Sequence, residues 1–126
     1  MIHKLEKKQD DRGFLVEVSP LLKGRAKHFF LATLKPGKSR GNHFHKRKTE
    51  WVIVTQGKVL VKLIDINSGK ISKINLTSEQ GRVLEILPNF VVRIENHTDQ
   101  QAAILAIFDE VFDLQDPDVW LWEKVK

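Results

Sequence analysis

The sequence contains no cysteine and no tyrosine among its 126 residues. The absence of cysteine excludes disulfide bonds and thiolate chemistry, and the absence of tyrosine removes a common acid catalyst. No apolar run approaches the roughly 20 residues of a membrane-spanning helix, so we expect no membrane partner. Residues 1–12 are polar and charged, unlike a secretory signal. Together these features favour a cytoplasmic protein.

The length is that of one ordinary domain, and the net charge is positive. We expect a single domain over residues 1–126, with its core at about residues 12–122. The formal net charge is +5, and much of the basic excess lies in residues 4–8 and 35–48. We find neither a nucleic-acid-reading motif nor exposed aromatics within these segments, so no nucleic-acid partner is expected. The basic excess is either a solvated surface or a positive field around a cavity for a phosphorylated ligand.

Short apolar or alternating runs recur along the chain, separated by Gly, Asn and Pro turns. They lie at residues 14–18, 28–34, 50–55, 58–66, 70–76, 83–87, 91–95 and 102–109. Strands of this length and spacing predict an all-β sandwich or barrel, which can enclose a cavity for a small molecule. The turn at residues 55–58 joins two runs tightly, as a β-hairpin would.

Two histidines and a glutamate form the most informative pattern. His43 and His45 are two residues apart, so on a strand their imidazoles share one face and Phe44 lies on the other. Glu50 begins the next apolar run and can aim its carboxylate at them. Such a group can bind a divalent metal or act as an acid/base cluster.

The same segment resembles the first motif of the cupin family, which reads G-x5-H-x-H-x4-E-x6-G. Gly37, His43, His45, Glu50 and Gly57 fit every position. The resemblance implies an all-β cupin jelly roll, the double-stranded β-helix barrel.

The second cupin motif is matched only in part. Its Pro corresponds to Pro88 and its Asn to Asn96, but its metal-ligating His falls at Val92, or at Arg93 with a one-residue shift. Only one of Val92 and Arg93 can face the cavity. The departure removes the fourth ligand of the ordinary cupin metal site, so we expect no cofactor, with a divalent metal as the alternative.

The flanking residues narrow the resemblance. Residues 35–54 are similar to the C-terminal cupin of bifunctional capsular-polysaccharide enzymes that epimerise a UDP-4-keto-6-deoxyhexosamine at C3. The Arg-Gly-x-His core at residues 40–43 also resembles dTDP-4-dehydrorhamnose 3,5-epimerases and dTDP-4-keto-6-deoxyhexose 3,4-ketoisomerases, as do residues 11–15 and 112–118. This RmlC-like resemblance implies a homodimeric isomerase or epimerase of a dTDP- or UDP-linked 4-keto-6-deoxysugar, acting in surface-polysaccharide biosynthesis.

The resemblance also implies residue roles. His43 falls where the epimerases carry their base, His45 matches the second histidine of the ketoisomerases and returns the proton, and Glu50 orients the imidazoles. The expected substrate contacts are Arg40, Lys48, Arg93, Asn96 and Asp116. Because the rhamnose-type epimerases use a tyrosine acid, a single C3 epimerisation or a ketoisomerisation fits this chain better than a double epimerisation.

Two alternatives stay open. One is a metal-dependent cupin that binds its ion through His43, His45 and Glu50. The other is a non-catalytic module that binds a nucleotide sugar. Because the capsular enzymes fuse this cupin to a reductase, a separate reductase could also act as the partner of this chain.

Overall fold

The computed structural model describes residues 1–122 and is built almost entirely of antiparallel strands. The strands are β1 (Ile2–Lys4), β2 (Lys8–Asp10), β3 (Gly13–Leu15), β4 (His28–Leu34), β5 (Ser39–Phe44), β6 (Glu50–Gln56), β7 (Lys58–Asp65), β8 (Ile71–Thr77), β9 (Arg82–Ile86), β10 (Phe90–Glu95), β11 (Ala102–Phe108) and β12 (Trp120–Leu121), and one short helix, α1 (Ser19–Leu22), precedes β4.

The strands form two facing five-stranded sheets. The first has the order β1-β9-β6-β11-β4, and the second has the order β12-β5-β10-β7-β8. Strands β2 and β3 form a separate two-stranded ribbon. Strand β4 is an edge of the first sheet, because β11 is its one strand partner within residues 1–122. This arrangement is a cupin jelly roll, which confirms the expected fold class.

The main core lies between the two sheets and follows from the period-two pattern of the strands. On β7, Val59, Val61 and Leu63 point inward and are buried, whereas the intervening Lys62 points outward. Complete burial of each aliphatic side chain contributes about 1.5–3 kcal/mol, so this alternation determines which face of β7 packs inward.

A second apolar cluster covers the outer face of the first sheet. Trp51, Val83 and Ile107 pack there beneath Leu22 of helix α1. The Trp51 indole is fully buried, and its Nε1–H donates to Glu85 Oε1 at 3.0 Å. Among the described residues there is no helix that combines the length and hydropathy needed to span a membrane.

The turn at Gly57 does not close a β-hairpin, so that prediction was wrong. Strand β6 pairs with β9 and β11 of the first sheet, whereas β7 pairs with β8 and β10 of the second. The tight connection is therefore the corner where the chain crosses between sheets. Gly57 has a φ of 75°, and a Cβ there would lie 2.9 Å from the Gln101 carbonyl oxygen.

A β-bulge in β5 controls which residues face the interior. Val92 pairs with His43 and Arg93 with Gly41, so Asn42 is the extra residue of the bulge. Both Gly41 and Asn42 have positive φ values, of 107° and 62°. A Cβ on Gly41 would collide with the Val92 carbonyl group. The bulge turns the His43 side of the strand toward the barrel interior.

Candidate active site

A cavity of about 340 Å³ opens where β4 begins and β5 and β11 end. Its volume is at the small end of the roughly 300–1,000 Å³ typical of small-molecule sites. Its walls are largely apolar and carry three imidazoles and one lysine. The lining residues are His28, Phe30, His43, His45, Lys48, Phe108, Phe112 and Val119.

The two motif histidines enter this cavity side by side. Their ring centroids are 5.3 Å apart and their planes are inclined at 66°. Phe44 points away from them and packs edge-on against Trp122, at 6.2 Å between ring centroids. The alternation of side chains along β5 thus places both imidazoles on one side.

His45 is buried and held from both ends. Its Nδ1–H donates to the Asp118 carbonyl oxygen at 2.6 Å, which leaves Nε2 facing Glu50. The Nε2 to Glu50 Oε1 distance is 3.6 Å, an ion-pair separation that is too long for a hydrogen bond. Both atoms are buried without a hydrogen-bond partner. The Asp118 carbonyl and the Glu50 carboxylate therefore orient the His45 ring, while His45 Nε2 and Glu50 Oε1 stay too far apart to hydrogen-bond to each other.

The environments of the two histidines move their pKa values in opposite directions. Burial lowers the pKa of His43, and the neighbouring His45 lowers it further, although Glu50 opposes the shift. Burial would also lower the pKa of His45, but the Glu50 carboxylate and the Asp118 carbonyl outweigh it and raise this pKa. The His45 ring thus keeps a proton more readily than the neighbouring His43 ring, and His43 is the one of the two that more readily takes the neutral form that accepts a proton.

His43, His45 and Glu50 lie close enough together to bind one divalent metal ion. One ligand atom each from His43, His45 and Glu50 lies within 4.8 Å of the others. Because Nδ1 of His45 is already engaged, its Nε2 would be the ligating atom, as is common for metal-bound histidines. The two buried unpartnered atoms match this donor set of nitrogen and oxygen. The fourth position of the family motif is the apolar Val92, which is buried in the core.

Lys48 also lies in the cavity, although Lys46 and Arg47 directly before it are exposed. Its side chain is only 3% exposed, and its Nζ donates to the Pro117 carbonyl oxygen at 2.8 Å. The same Nζ lies 5.5 Å from the Phe112 ring centroid and 6.0 Å from that of Phe108. A buried ammonium group on an aromatic wall can stabilise an anion that forms next to it.

Asp118 organises the turn that connects the histidines to Glu50, a role that no local pattern in the sequence predicted. Its carboxylate accepts hydrogen bonds from the backbone N–H groups of Lys46, Arg47 and Lys48 at 2.9, 2.9 and 3.1 Å. These bonds outweigh the effect of burial and lower the pKa of Asp118 to about 2. Asp118 thus holds the turn with its side chain and His45 with its carbonyl.

Asp116, the aspartate chosen from the sequence, lies outside the cavity. It forms an exposed ion pair with Arg47, with Asp116 Oδ2 and Arg47 Nη2 at 3.2 Å. It lines a neighbouring cleft of about 690 Å³ together with Glu110 and Asp113. The carboxylates of that cleft disfavour a phosphate group.

Arg93 and Asn96 do not line the cavity either, contrary to expectation. Arg93 points to the outer face of its sheet, where its Nε donates to Glu95 Oε2 at 2.6 Å, and Val92 faces the core. Asn96 donates to the carbonyl oxygens of Leu34 and Gln100, and its own oxygen accepts from Thr98. The side-chain amide of Asn96 therefore stabilises a loop through these hydrogen bonds.

Arg40 is exposed and reaches away from the histidines. Because of the bulge, it lies on the same side of β5 as His43. Its Nε donates to the Thr33 carbonyl oxygen on β4 at 2.9 Å, and Arg40 does not line the cavity. A phosphate contact by Arg40 stays a prediction.

His28 was missed because nothing near it in the sequence signals a site. It enters the cavity because it pairs with Phe108 at the end of β11, 80 residues away. Its ring stacks on Phe112, with centroids 5.9 Å apart and planes inclined at 29°. A lone histidine at the start of an apolar strand carries no local pattern that distinguishes it from a surface residue.

The fold and the motif of His43, His45 and Glu50 define a cupin. Residues 8–120 match the family model described as the polysaccharide biosynthesis C-terminal domain, and the chain belongs to this family. A Pseudomonas aeruginosa UDP-2-acetamido-2,6-beta-L-arabino-hexul-4-ose reductase is 31% identical over 111 residues, which cover 88% of this chain and 29% of the reductase.

Two solved structures place the chain among related jelly rolls. The capsular polysaccharide assembling protein CapF from Staphylococcus aureus has a TM-score of 0.73 at 25% identity, with 96% of this chain and 33% of CapF covered. A mutant of the 3,4-ketoisomerase QdtA from Thermoanaerobacterium thermosaccharolyticum, in complex with TDP-4-keto-6-deoxyglucose, has a TM-score of 0.81 at 20% identity, with 94% and 84% covered. The chain thus spans about a third of CapF and slightly less of the reductase.

Proposed function

We propose that this chain is an isomerase of a nucleotide-linked 4-keto-6-deoxysugar in surface-polysaccharide biosynthesis. The observation that carries the proposal is the cavity that brings together the paired imidazoles of His43 and His45 and the buried Lys48. Its volume suits a single sugar ring, with the nucleotide outside. The relatives support the substrate class, since one is a UDP-sugar reductase and another was solved with a TDP-linked 4-ketosugar.

The proposed chemistry begins with His43. A hydrogen on the carbon next to the keto group is acidic, and the lowered pKa of His43 leaves its imidazole free to accept that proton. The electron pair of the C–H bond moves to the keto oxygen and forms an enolate. The Lys48 ammonium supplies positive charge within the same cavity. Glu50 and Asp118 keep His45 in place beside the base.

The test is deuterium exchange at C3. In D2O, we expect the protein to incorporate deuterium at C3 of TDP-4-keto-6-deoxyglucose or of a UDP-linked 2-acetamido-2,6-dideoxy-4-ketohexose. His43→Phe should lose this exchange, because phenyl fills the space of imidazole but accepts no proton. His97→Gln is the matched control, because His97 lies outside the cavity and contacts Glu95. Absence of exchange with both compounds in the unaltered protein would refute the proposal.

The buried unpartnered atoms of His45 and Glu50 favour a second candidate, a metal-dependent cupin. His43, His45 and Glu50 would hold the ion, which would act as a Lewis acid on a ligand oxygen. Elemental analysis and melting curves of chelator-treated protein with added Zn²⁺, Mn²⁺ or Fe²⁺ test it. A rise in Tm that Glu50→Gln abolishes supports a metal site, and unchanged melting with all three ions refutes it. Nucleotide-sugar binding without C3 exchange would instead support the non-catalytic module.

We also propose that the protein is a homodimer that pairs along β4. This edge strand exposes Phe29 and Leu31 on its outer face, at 67% and 73% of their full surface. Such apolar residues on an unpaired strand edge invite a second copy. Leu31→Lys should give a monomer in sedimentation experiments. Ile71→Lys, at an apolar position that is 58% exposed on the edge strand β8, is the control that should leave the dimer intact.

Other expectations stay predictions. They are the cytoplasmic location, the separate reductase partner, and the absence of a cofactor and of nucleic-acid binding. A pull-down of the reductase that acts on the product would test the partnership directly.

A further inference from the structure

The cavity contains more proton carriers than its motif supplies. His43 and His45 come from β5 and the residue that follows it, whereas His28 is the first residue of β4. Strands β5 and β4 belong to the two different sheets, which face each other across the barrel. All three imidazoles line the same cavity. A ligand in that cavity therefore has an imidazole from each sheet beside it.

The four titratable groups of the cavity wall differ in how strongly they are held. His45 is fixed between Asp118 and Glu50, and Lys48 donates to the Pro117 carbonyl oxygen. The hydrogen bonds of histidine rings within residues 1–122 involve His45 and His97 and include none to His28. His28 is therefore placed by packing alone, through its contacts with Phe30, Phe108 and Phe112. Its ring nitrogens are available to a ligand.

Inversion at a carbon next to a keto group needs two proton carriers when the ligand stays fixed in its cavity. The base removes the proton from one face, and an acid must deliver a proton to the other face of the planar enolate. The chain has no tyrosine that could serve as this acid. Histidine is the side chain whose ordinary pKa allows it to donate a proton at neutral pH.

We propose that His28 is a catalytic acid that delivers a proton to the face of the sugar opposite His43, so that the enzyme is a C3 epimerase. This inference rests on the proposed function. His43 takes the C3 proton, and the electron pair passes to the keto oxygen. Protonated His28 then donates its N–H proton to C3, and the carbonyl group re-forms. No electrons are gained or lost overall, and solvent returns His43 and His28 to their starting protonation states.

The aromatic residues around His28 allow a substitution that removes its transferable proton but keeps its packing. His28→Phe keeps a ring to pack against Phe30, Phe108 and Phe112 but carries no proton. His28→Gln is the second variant, in case an additional phenyl group disturbs folding. Both are incubated in D2O with the two 4-ketosugar nucleotides named above, and NMR measures deuterium at C3 separately from inverted product.

We expect each His28 variant to lose inverted product by about 10²- to 10⁴-fold, the usual contribution of a general acid. Exchange at C3 with retained configuration should persist, because His43 can remove and return a proton on its own face. Inverted product at the unaltered rate, or loss of exchange along with inversion in a folded variant, would overturn the inference. Absence of exchange in the unaltered protein would instead refute the proposed function itself.

Discussion

The strongest test of the site architecture is the replacement of Asp118 by asparagine. Each carboxylate oxygen accepts two hydrogen bonds: Oδ1 from the N–H of Lys46 and from Trp120 Nε1, and Oδ2 from the N–H groups of Arg47 and Lys48. Asparagine has the same size and tolerates the φ of 50° found here, but one of its terminal atoms is a donor. Asp118→Asn therefore turns one pair of hydrogen bonds into a donor facing two donors.

The structure bounds the size of the effect. Two hydrogen bonds to a charged group are worth about 3–6 kcal/mol if they add. The carboxyl pKa falls from 3.8 to about 2, which corresponds independently to about 2 kcal/mol of stability at neutral pH. We therefore expect Asp118→Asn to lower the free energy of unfolding by about 2–5 kcal/mol at pH 7.

The pH dependence of this loss has a definite sign. A carboxyl group whose pKa is depressed on folding stabilises the protein above its unfolded pKa of 3.8, and the contribution disappears as the pH falls toward 2. Urea unfolding of the protein and of Asp118→Asn should therefore differ most at pH 7 and converge near pH 2. The His45 Nδ1–H signal in NMR spectra should also exchange faster in the variant, because the Asp118 carbonyl that accepts it becomes less fixed.

Asp116→Asn is the matched control, since it lies two residues away in the same segment. Its ion pair with Arg47 is exposed, with 64% of the Asp116 side chain accessible, so screening by water leaves little to lose. If Asp118→Asn is as stable as Asp116→Asn, the reasoning about the turn is refuted.

Three further predictions follow from contacts elsewhere in the structure. Glu50→Gln removes the carboxylate beside His45, so the pKa of His45 should fall in an NMR titration of chelator-treated protein; an unchanged value would refute the ion pair as the cause of its shift. Glu95 is buried, but its contacts with His97, Arg93 and Lys62 outweigh that burial and lower its pKa from 4.5 to about 2. Glu95→Gln should therefore cost up to about 3 kcal/mol at pH 7 and almost nothing near pH 2, and a loss that is independent of pH would contradict this. Gly57→Ala should cost about 2 kcal/mol in urea unfolding because of its positive φ and the nearby Gln101 carbonyl, whereas Gly69→Ala has open space around its Cβ and should cost less.

Local sequence patterns predict much of the fold. Strand β4 was predicted with its observed bounds, and most other strands to within a residue or two, because alternating apolar residues require one buried face. The turn at Gly57 shows the limit of such patterns. A tight turn brings the ends of two consecutive strands together, but it does not determine whether they pair. Their hydrogen-bond partners lie far away in the sequence and decide which sheet each strand joins.

The same distinction between local patterns and distant pairings applies to the residues of the site. His43, His45 and Glu50 were found because one strand and the next turn hold them together. His28 and Asp118 reach the cavity through pairings with distant residues and carry no local signal. Asp116 was preferred to Asp118 because a turn motif of alternating aspartates does not reveal which one points inward.

Strand β4 serves two purposes through alternate residues. His28 and Phe30 face the cavity, and Phe29 and Leu31 face outward at the edge of the first sheet. Adjacent positions on this strand can therefore be redesigned separately. An engineer could alter the proposed dimer contact through Phe29 and Leu31, or the proposed proton transfer through His28, without rebuilding the barrel.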